Sequence, residues 1–241
     1  MRMYMMINIK GIRELLAGVK GKKRDVLYPM EAESVLRAYG IDLAKSIFAG
    51  NNLKEVIRSA EEIGFPVALK LISPDILHKS DAGCVYLNLK NRQEITKAYN
   101  DVLRNAGMSN PHAYIEGFLV QEMIQYGHEV IVGLATDPTF GKIIMFGLGG
   151  IFVEILNDVA IRKIPITALD AQDMIEEIKG YKILQGVRGK EPANLELLKE
   201  ILLKTSRLGL EIEEIGEMDL NPVFVNAHHA LVADARIIIH N

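Results

Sequence analysis

Apolar positions recur at helical spacing from the start of the chain, where Ile9, Ile12, Leu15, Leu16 and Val19 share one face of a predicted helix. Glycine and lysine then dominate residues 18–24, which read as a linker. That first helix is either the first core helix or an arm that packs on another subunit, and the linker favours the arm. Pro29 suits the first turn of a second helix, carried by Ala32, Val35, Leu36 and Tyr39 and stopped by Gly40. A strand is expected over residues 45–49. Leu53, Val56, Ile57, Ala60 and Ile63 then mark a helix that ends at Gly64. Residues 66–72 form a short apolar run interrupted by Lys70, and residues 85–89 alternate as a strand does. Ile95, Ala98, Tyr99, Val102 and Leu103 predict a long amphipathic helix ending at Gly107. Strand and helix alternate throughout this half.

The second half holds more consecutive strands, expected over residues 118–124, 129–135, 142–146 and 159–166. Asp137-Pro138 and Gly141 mark a turn between the second and third of these, predicting an antiparallel hairpin. Helices are expected over 171–179 and 195–208, and closing strands over 215–225 and 230–238. The fold class that results is α+β, with two α+β lobes. The boundaries predicted are an arm and linker over 1–24, an N-terminal lobe over 25–112 and a C-terminal lobe over 113–241. A cleft between two such lobes is a natural ligand site.

Composition narrows the function classes. With 49% apolar and 24% charged residues in 241, the chain can bury a sizeable core. A net charge of -3, 6% aromatic residues and no tryptophan give no footing for nucleic acid. Cys84, the single cysteine, excludes a disulfide framework within the chain. No apolar stretch approaches the ~18 residues needed to span a bilayer, and residues 1–12 lack the core of a signal peptide. No membrane association and a cytoplasmic location are the expectations.

Four groups of residues carry possible chemistry. Lys70, inside an apolar strand, either snorkels to solvent or meets an anion such as a nucleotide phosphate. The loop from Ser73 to Gly83 contains His78, a surface histidine or, as a neutral imidazole, an acceptor for a phosphoryl group. Phe146 to Glu154 is glycine-rich; Gly149 and Gly150 let backbone N–H groups approach phosphate oxygens, although neither a P-loop nor a dinucleotide fingerprint is present. Arg162 and Lys163 follow on the next strand and could neutralise a transferring phosphate. Asp219 and Asn221 stand two apart on a strand and so project to one face, with Asp234 expected on the adjacent closing strand. Two carboxylates and an amide oxygen make a hard-oxygen set suited to Mg²⁺.

Taken together, SPDILHKSDAG, FGLGGIFVEILNDVAIRKIP and EMDLNPVFV, in that order, resemble the ATP-grasp fold and in particular the β subunits of ADP-forming acetyl-CoA synthetases. The resemblance runs from Pro29 almost to the C-terminus. It implies that ATP or ADP lies between the lobes, with Lys70 on the phosphates and Gln121, Glu122 and Met123 forming the hinge that holds adenine. It places Glu129 near the nucleotide, Gly149 and Gly150 around the terminal phosphate, and Arg162 on that phosphate during transfer. Asp219, Asn221 and Asp234 would hold Mg²⁺, and His78 matches the family's phosphohistidine. A CoA-binding α subunit is the implied partner, in an α2β2 heterotetramer. One departure is visible: Cys84 stands where the family usually has glycine, which matters only if that position needs positive φ. Two other readings remain open. One is an ATP-grasp carboxylate–amine ligase, which needs no phosphohistidine; the other is a nucleotide-sensing module without catalysis.

Overall fold

The helical stripes and strand runs of the sequence are realised in a computed structural model, which describes residues 8–76, 79–124, 126–150, 158–187 and 191–240. Its contacts group the chain into a larger unit, Met1–Leu43 with Tyr126–Asn241, and a smaller one, Ala44–Gln125. Both boundaries therefore differ from those drawn from sequence. Residues 25–43 belong to the larger unit because Leu27, Ala32, Val35, Leu36 and Ile41 enter its core. Residues 113–125 belong to the smaller one because they supply an interior strand of its sheet.

In the smaller unit, β1 (Ser46–Ala49), β4 (Gly117–Glu122), β2 (Val67–Ile72) and β3 (Val85–Leu89) form a four-stranded sheet in the order β1-β4-β2-β3. Every pairing is antiparallel, so alternation of strands and helices does not produce a parallel sheet here. Helices α3 (Leu53–Ile63) and α4 (Arg92–Ser109) cover one face. Asn52 and Asn91 cap their first turns, accepting from the N–H groups of Lys54 and Glu94. Val56, Ala60, Ile95, Ala98 and Val102 pack on Val67, Leu69, Leu71, Phe118 and Val120. Helix α4 continues past Gly107, where its end was expected, to Ser109, because Ala106 is still buried in the core.

The larger unit is built on an antiparallel sheet ordered β10-β8-β5-β6-β7, with β9 (Ala230–Val232) paired to β8. Its strands are β5 (His128–Asp137), β6 (Gly141–Leu148), β7 (Val159–Lys163), β8 (Ile215–Val225) and β10 (Ala235–Ile239). The hairpin expected between β5 and β6 is present; Asp137 Oδ1 accepts from the N–H groups of Thr139 and Phe140, and Gly141 takes φ +76. Helices α1 (Ile9–Gly21), α2 (Pro29–Ala38), α5 (Ala168–Glu177), α6 (Tyr181–Leu184) and α7 (Leu195–Glu211) complete the unit. Helix α1 is not an arm. Ile12, Leu16 and Val19 are buried among this unit's own residues, since an apolar stripe finds its cover there. The stretch after it is no free linker either, for the Arg24 guanidinium clasps Glu31 at 2.7 and 3.0 Å and lies over the Tyr28 ring.

This sheet has two unlike faces. Val130, Val132, Leu134, Ile144, Phe146, Ala160, Met218, Leu220 and Ile237 join the helix-covered core. The opposite face carries Glu129, Glu217, Asp219, Asn221 and Arg236, all exposed.

Candidate functional site

Asp219 and Asn221 alternate on β8 with buried Met218 and Leu220, which fixes both polar side chains on the face opposite the core helices. Asp219 pairs across the sheet with Gly133 on one side and Arg236 on the other. Asp234 is not on a strand, as expected from sequence, but in the turn between β9 and β10; the apolar run breaks at Ala233–Asp234. Its backbone carbonyl accepts the Asn221 N–H at 3.0 Å, which brings the turn beside β8. The Asp219 side chain reaches solvent, yet the surrounding protein crowds one side of it. That desolvation, reinforced by the negative Asp234, raises its pKa above the usual carboxylate range, and Arg236 offsets part of the rise.

A pair of carboxylates that repel one another, beside an amide oxygen, fits a divalent cation. No cluster of three or more His, Cys, Asp and Glu side chains able to hold a metal occurs among the described residues. The set here is therefore sparse, the kind that Mg²⁺ shares with substrate phosphates rather than a closed cage.

The glycine turn is joined to the same face. The Gly149 N–H donates to the Glu129 carbonyl at 2.7 Å, and a Cβ at Gly149 would stand 3.0 Å from Glu129 Cβ, a tight contact that glycine avoids. Gly150 has φ +65, and a Cβ there would lie 3.9 Å from Glu129 Oε2. The Glu129 carboxylate thus stands beside the turn. Residues 151–157 of the glycine-rich stretch lie outside the described residues.

Arg162 is not brought to this face. It pairs with Ile144 and shares the helix-covered side of β7 with Ala160, while Ile161 and Lys163 point the other way. Its guanidinium makes a bidentate pair with Glu177 at the end of α5, at 2.8 and 2.6 Å, and donates to the Ile161 carbonyl. That pair holds the Arg162 pKa up and the Glu177 pKa down. Strand parity, not charge, decides which face Arg162 occupies, and there its guanidinium is engaged by Glu177.

In the smaller unit, Lys70 is half-buried between fully buried Leu69 and Leu71. It pairs with Leu119 on β4, and Ala68 pairs with Gln121 two places along, so Lys70 and the buried Gln121 share the face opposite α3 and α4. Glu122 turns its carboxylate to the backbone: Oε1 accepts the Lys45 N–H at 2.6 Å, while the Glu122 N–H donates to the Lys45 carbonyl at 2.9 Å. Met123 N–H reaches the Pro66 carbonyl at 3.4 Å.

His78 and Leu77 lie outside the described residues. The loop around them is anchored through Cys84, whose N–H donates to the Lys79 carbonyl at 2.7 Å and whose carbonyl accepts from Leu71. Positive φ falls on Gly83, at +64, and not on Cys84, which is buried in the core. The missing glycine is therefore tolerated, and burial raises the thiol pKa.

Sequence reasoning missed Asp158, a buried carboxylate opposite Lys179 and Gly180. Nothing local in the sequence marks it, because its partners are 21 and 22 residues away.

Comparison with known proteins agrees with this architecture. The model of the ATP-grasp domain family matches residues 18–239. The chain is 50% identical over 234 residues to the β subunit of acetate–CoA ligase [ADP-forming] II of Pyrococcus furiosus, covering 96% of this chain and 97% of the relative. It is 45% identical over 227 residues to the β subunit of isoenzyme I from that organism, covering 94% and 97%. In Archaeoglobus fulgidus the similar region, 46% identical and 87% of this chain, makes up 30% of acetate–CoA ligase [ADP-forming] I. Among solved structures, dinucleotide-forming acetyl-coenzyme A synthetase 1 of Ca. Korarchaeum cryptofilum, with coenzyme A and Ca-AMPCP, superposes with a TM-score of 0.91 at 45% identity, covering 95% of this chain and 99% of that one. Another structure of that enzyme, with coenzyme A and Mg-AMPPCP and its phosphohistidine segment pointing towards the nucleotide site, gives 0.82 at 43% identity, covering 95% and 100%.

Proposed function

The chain belongs to the ATP-grasp family and, within it, to the β subunits of ADP-forming acetate–CoA ligases, and from that premise we propose how its own residues divide the reaction. The overall change is acyl-CoA + ADP + phosphate ⇌ acid + ATP + CoA. The acyl and CoA chemistry falls to a CoA-binding α subunit, in keeping with relatives in which the similar region is under a third of a longer chain. This subunit takes a phosphoryl group from that site and delivers it to ADP, in an assembly we take to be α2β2.

His78 is the carrier. A neutral imidazole nitrogen attacks phosphorus and releases the carboxylate oxygen of the acid; attack by the ADP β-phosphate oxygen then frees the imidazole. One difficult transfer becomes two easier ones. In the smaller unit, the Lys70 ammonium offsets phosphate charge, and backbone groups around Gln121, Glu122 and Met123 orient adenine. The Glu122 carboxylate does not serve as a base ligand, since it is engaged by Lys45. In the larger unit, the Gly149–Gly150 turn receives the terminal phosphate through the Gly150 N–H, beside Glu129, the Gly149 N–H being held by the Glu129 carbonyl. Asp219, Asn221 and Asp234 would hold Mg²⁺. Bound there, the ion would supply positive charge to the phosphates.

The observation that carries this reading is the Asp219, Asn221 and Asp234 corner on the face opposite the core helices, where desolvation and the Asp234 charge raise the Asp219 pKa and a cation would offset both. The test is reconstitution. Purified chain, mixed with a CoA-binding α subunit, should form ATP from acetyl-CoA, ADP and phosphate, and neither subunit should do so alone. Turnover of a carboxylate with an amine and no partner would instead favour the carboxylate–amine ligase reading.

A further inference from the structure

We propose that Asp158 is a positioning residue that sets the Gly149–Gly150 turn for the phosphate it receives; this rests on the nucleotide reading above. Asp158 is 6% exposed and immediately precedes β7. Its Oδ1 accepts the Lys179 N–H at 2.8 Å and its Oδ2 accepts the Gly180 N–H at 2.7 Å. Each carboxylate oxygen thus takes one charge-assisted bond from the corner that joins α5 to α6. The N–H groups of this partly buried corner have no helical partner, and a side chain from another element accepts them.

That corner bears directly on the glycine turn. Gly180 lies so close to Leu148 that an added Cβ would collide with Leu148 Cδ1 and come within 3.0 Å of its Cγ. Leu148 is 2% exposed, closes β6 and is bonded to Gly149. Gly149 in turn is held by the 2.7 Å bond to the Glu129 carbonyl. The Asp158 backbone also packs closely on β6, its carbonyl oxygen 2.9 Å from where a Gly147 Cβ would be. The carboxylate therefore fixes Gly180, Gly180 fixes Leu148, and Leu148 fixes the first glycine of the turn. Asparagine cannot replace it: one oxygen could still accept, but the amide NH₂ would face the second N–H.

The test uses the full chain with Asp158→Asn and, separately, Gly180→Ala. The second variant keeps the carboxylate and displaces Leu148. Calorimetry with Mg²⁺ would compare ATP with AMP, which lacks the terminal phosphates. Both variants should bind ATP about tenfold more weakly while binding AMP as wild type does, the scale of one disrupted charge-assisted bond. Wild-type ATP affinity in a folded Asp158→Asn variant overturns the proposal. Equal losses for ATP and AMP overturn it too, since they indicate a role in the fold alone. A wild-type chain that binds neither nucleotide would instead strike the nucleotide reading itself.

Discussion

Asp219→Asn is expected to stabilise the ligand-free protein and, at the same time, to weaken magnesium-dependent nucleotide binding. The first effect follows from the raised pKa, whose leading cause is burial and whose second is the Asp234 charge. A carboxylate with a folded pKa above its unfolded one costs stability at all pH above the folded value. The cost fades as pH falls and is gone below the unfolded value. Asparagine never ionises, so the gain is present at pH 7 and vanishes in acid. The side chain is partly solvated and Arg236 pairs across the sheet, so the gain is about 0.5 kcal/mol, the order of a solvent-screened charge pair. The second effect is larger. Losing one of two carboxylates from a sparse oxygen set should weaken Mg²⁺-dependent binding tenfold or more, about 1.4 kcal/mol. Thermal melts without ligand read the first effect, and ADP calorimetry with and without MgCl₂ reads the second. In the wild type, magnesium dependence should fade with acid at a higher pH than an ordinary aspartate would give. A variant that melts lower than wild type and keeps its magnesium dependence would refute the reasoning.

Leu16→Ala should destabilise the larger unit by about 3 kcal/mol, because Leu16 is 1% exposed in its core; an unchanged urea midpoint would return α1 to the role of an arm. Arg162→Ala should lower stability by up to about 1 kcal/mol through loss of the Glu177 pair, with turnover of the reconstituted enzyme within a few-fold of wild type. A fall in kcat of several orders of magnitude at an unchanged unfolding midpoint would place Arg162 on the phosphate after all.

Much of this fold is legible as periodicity. The stripes of α3 and α4, the capping asparagines and the Asp137 to Gly141 turn each carry local instructions, and the structure follows them. What periodicity omits is partnership. The stripe on α1 predicts burial but not against what, and its cover proves to be the unit's own core. Arg162 shows a similar gap, since residues 159–166 form an apolar run whose alternation does not declare which face is inward. Only pairing with Ile144 and Phe146 settles the parity. Asp234 was displaced from its expected strand by a two-residue break between β9 and β10 that no glycine or proline announces. Asp219 and Asn221 were legible because a single strand with strict alternation carries both. Asp158 was not, because a side chain serving backbone groups more than twenty residues away leaves no local signature.

The central claim is that His78 carries the phosphoryl group, and labelling tests it most directly. The chain, with and without its α partner, is incubated with γ-labelled ATP and Mg²⁺, and acid-labile, base-stable label is mapped by peptide. The account predicts label on His78 and none in a His78→Ala variant that still binds nucleotide. Nucleotide binding with no label on His78, in the presence of a competent partner, would contradict it.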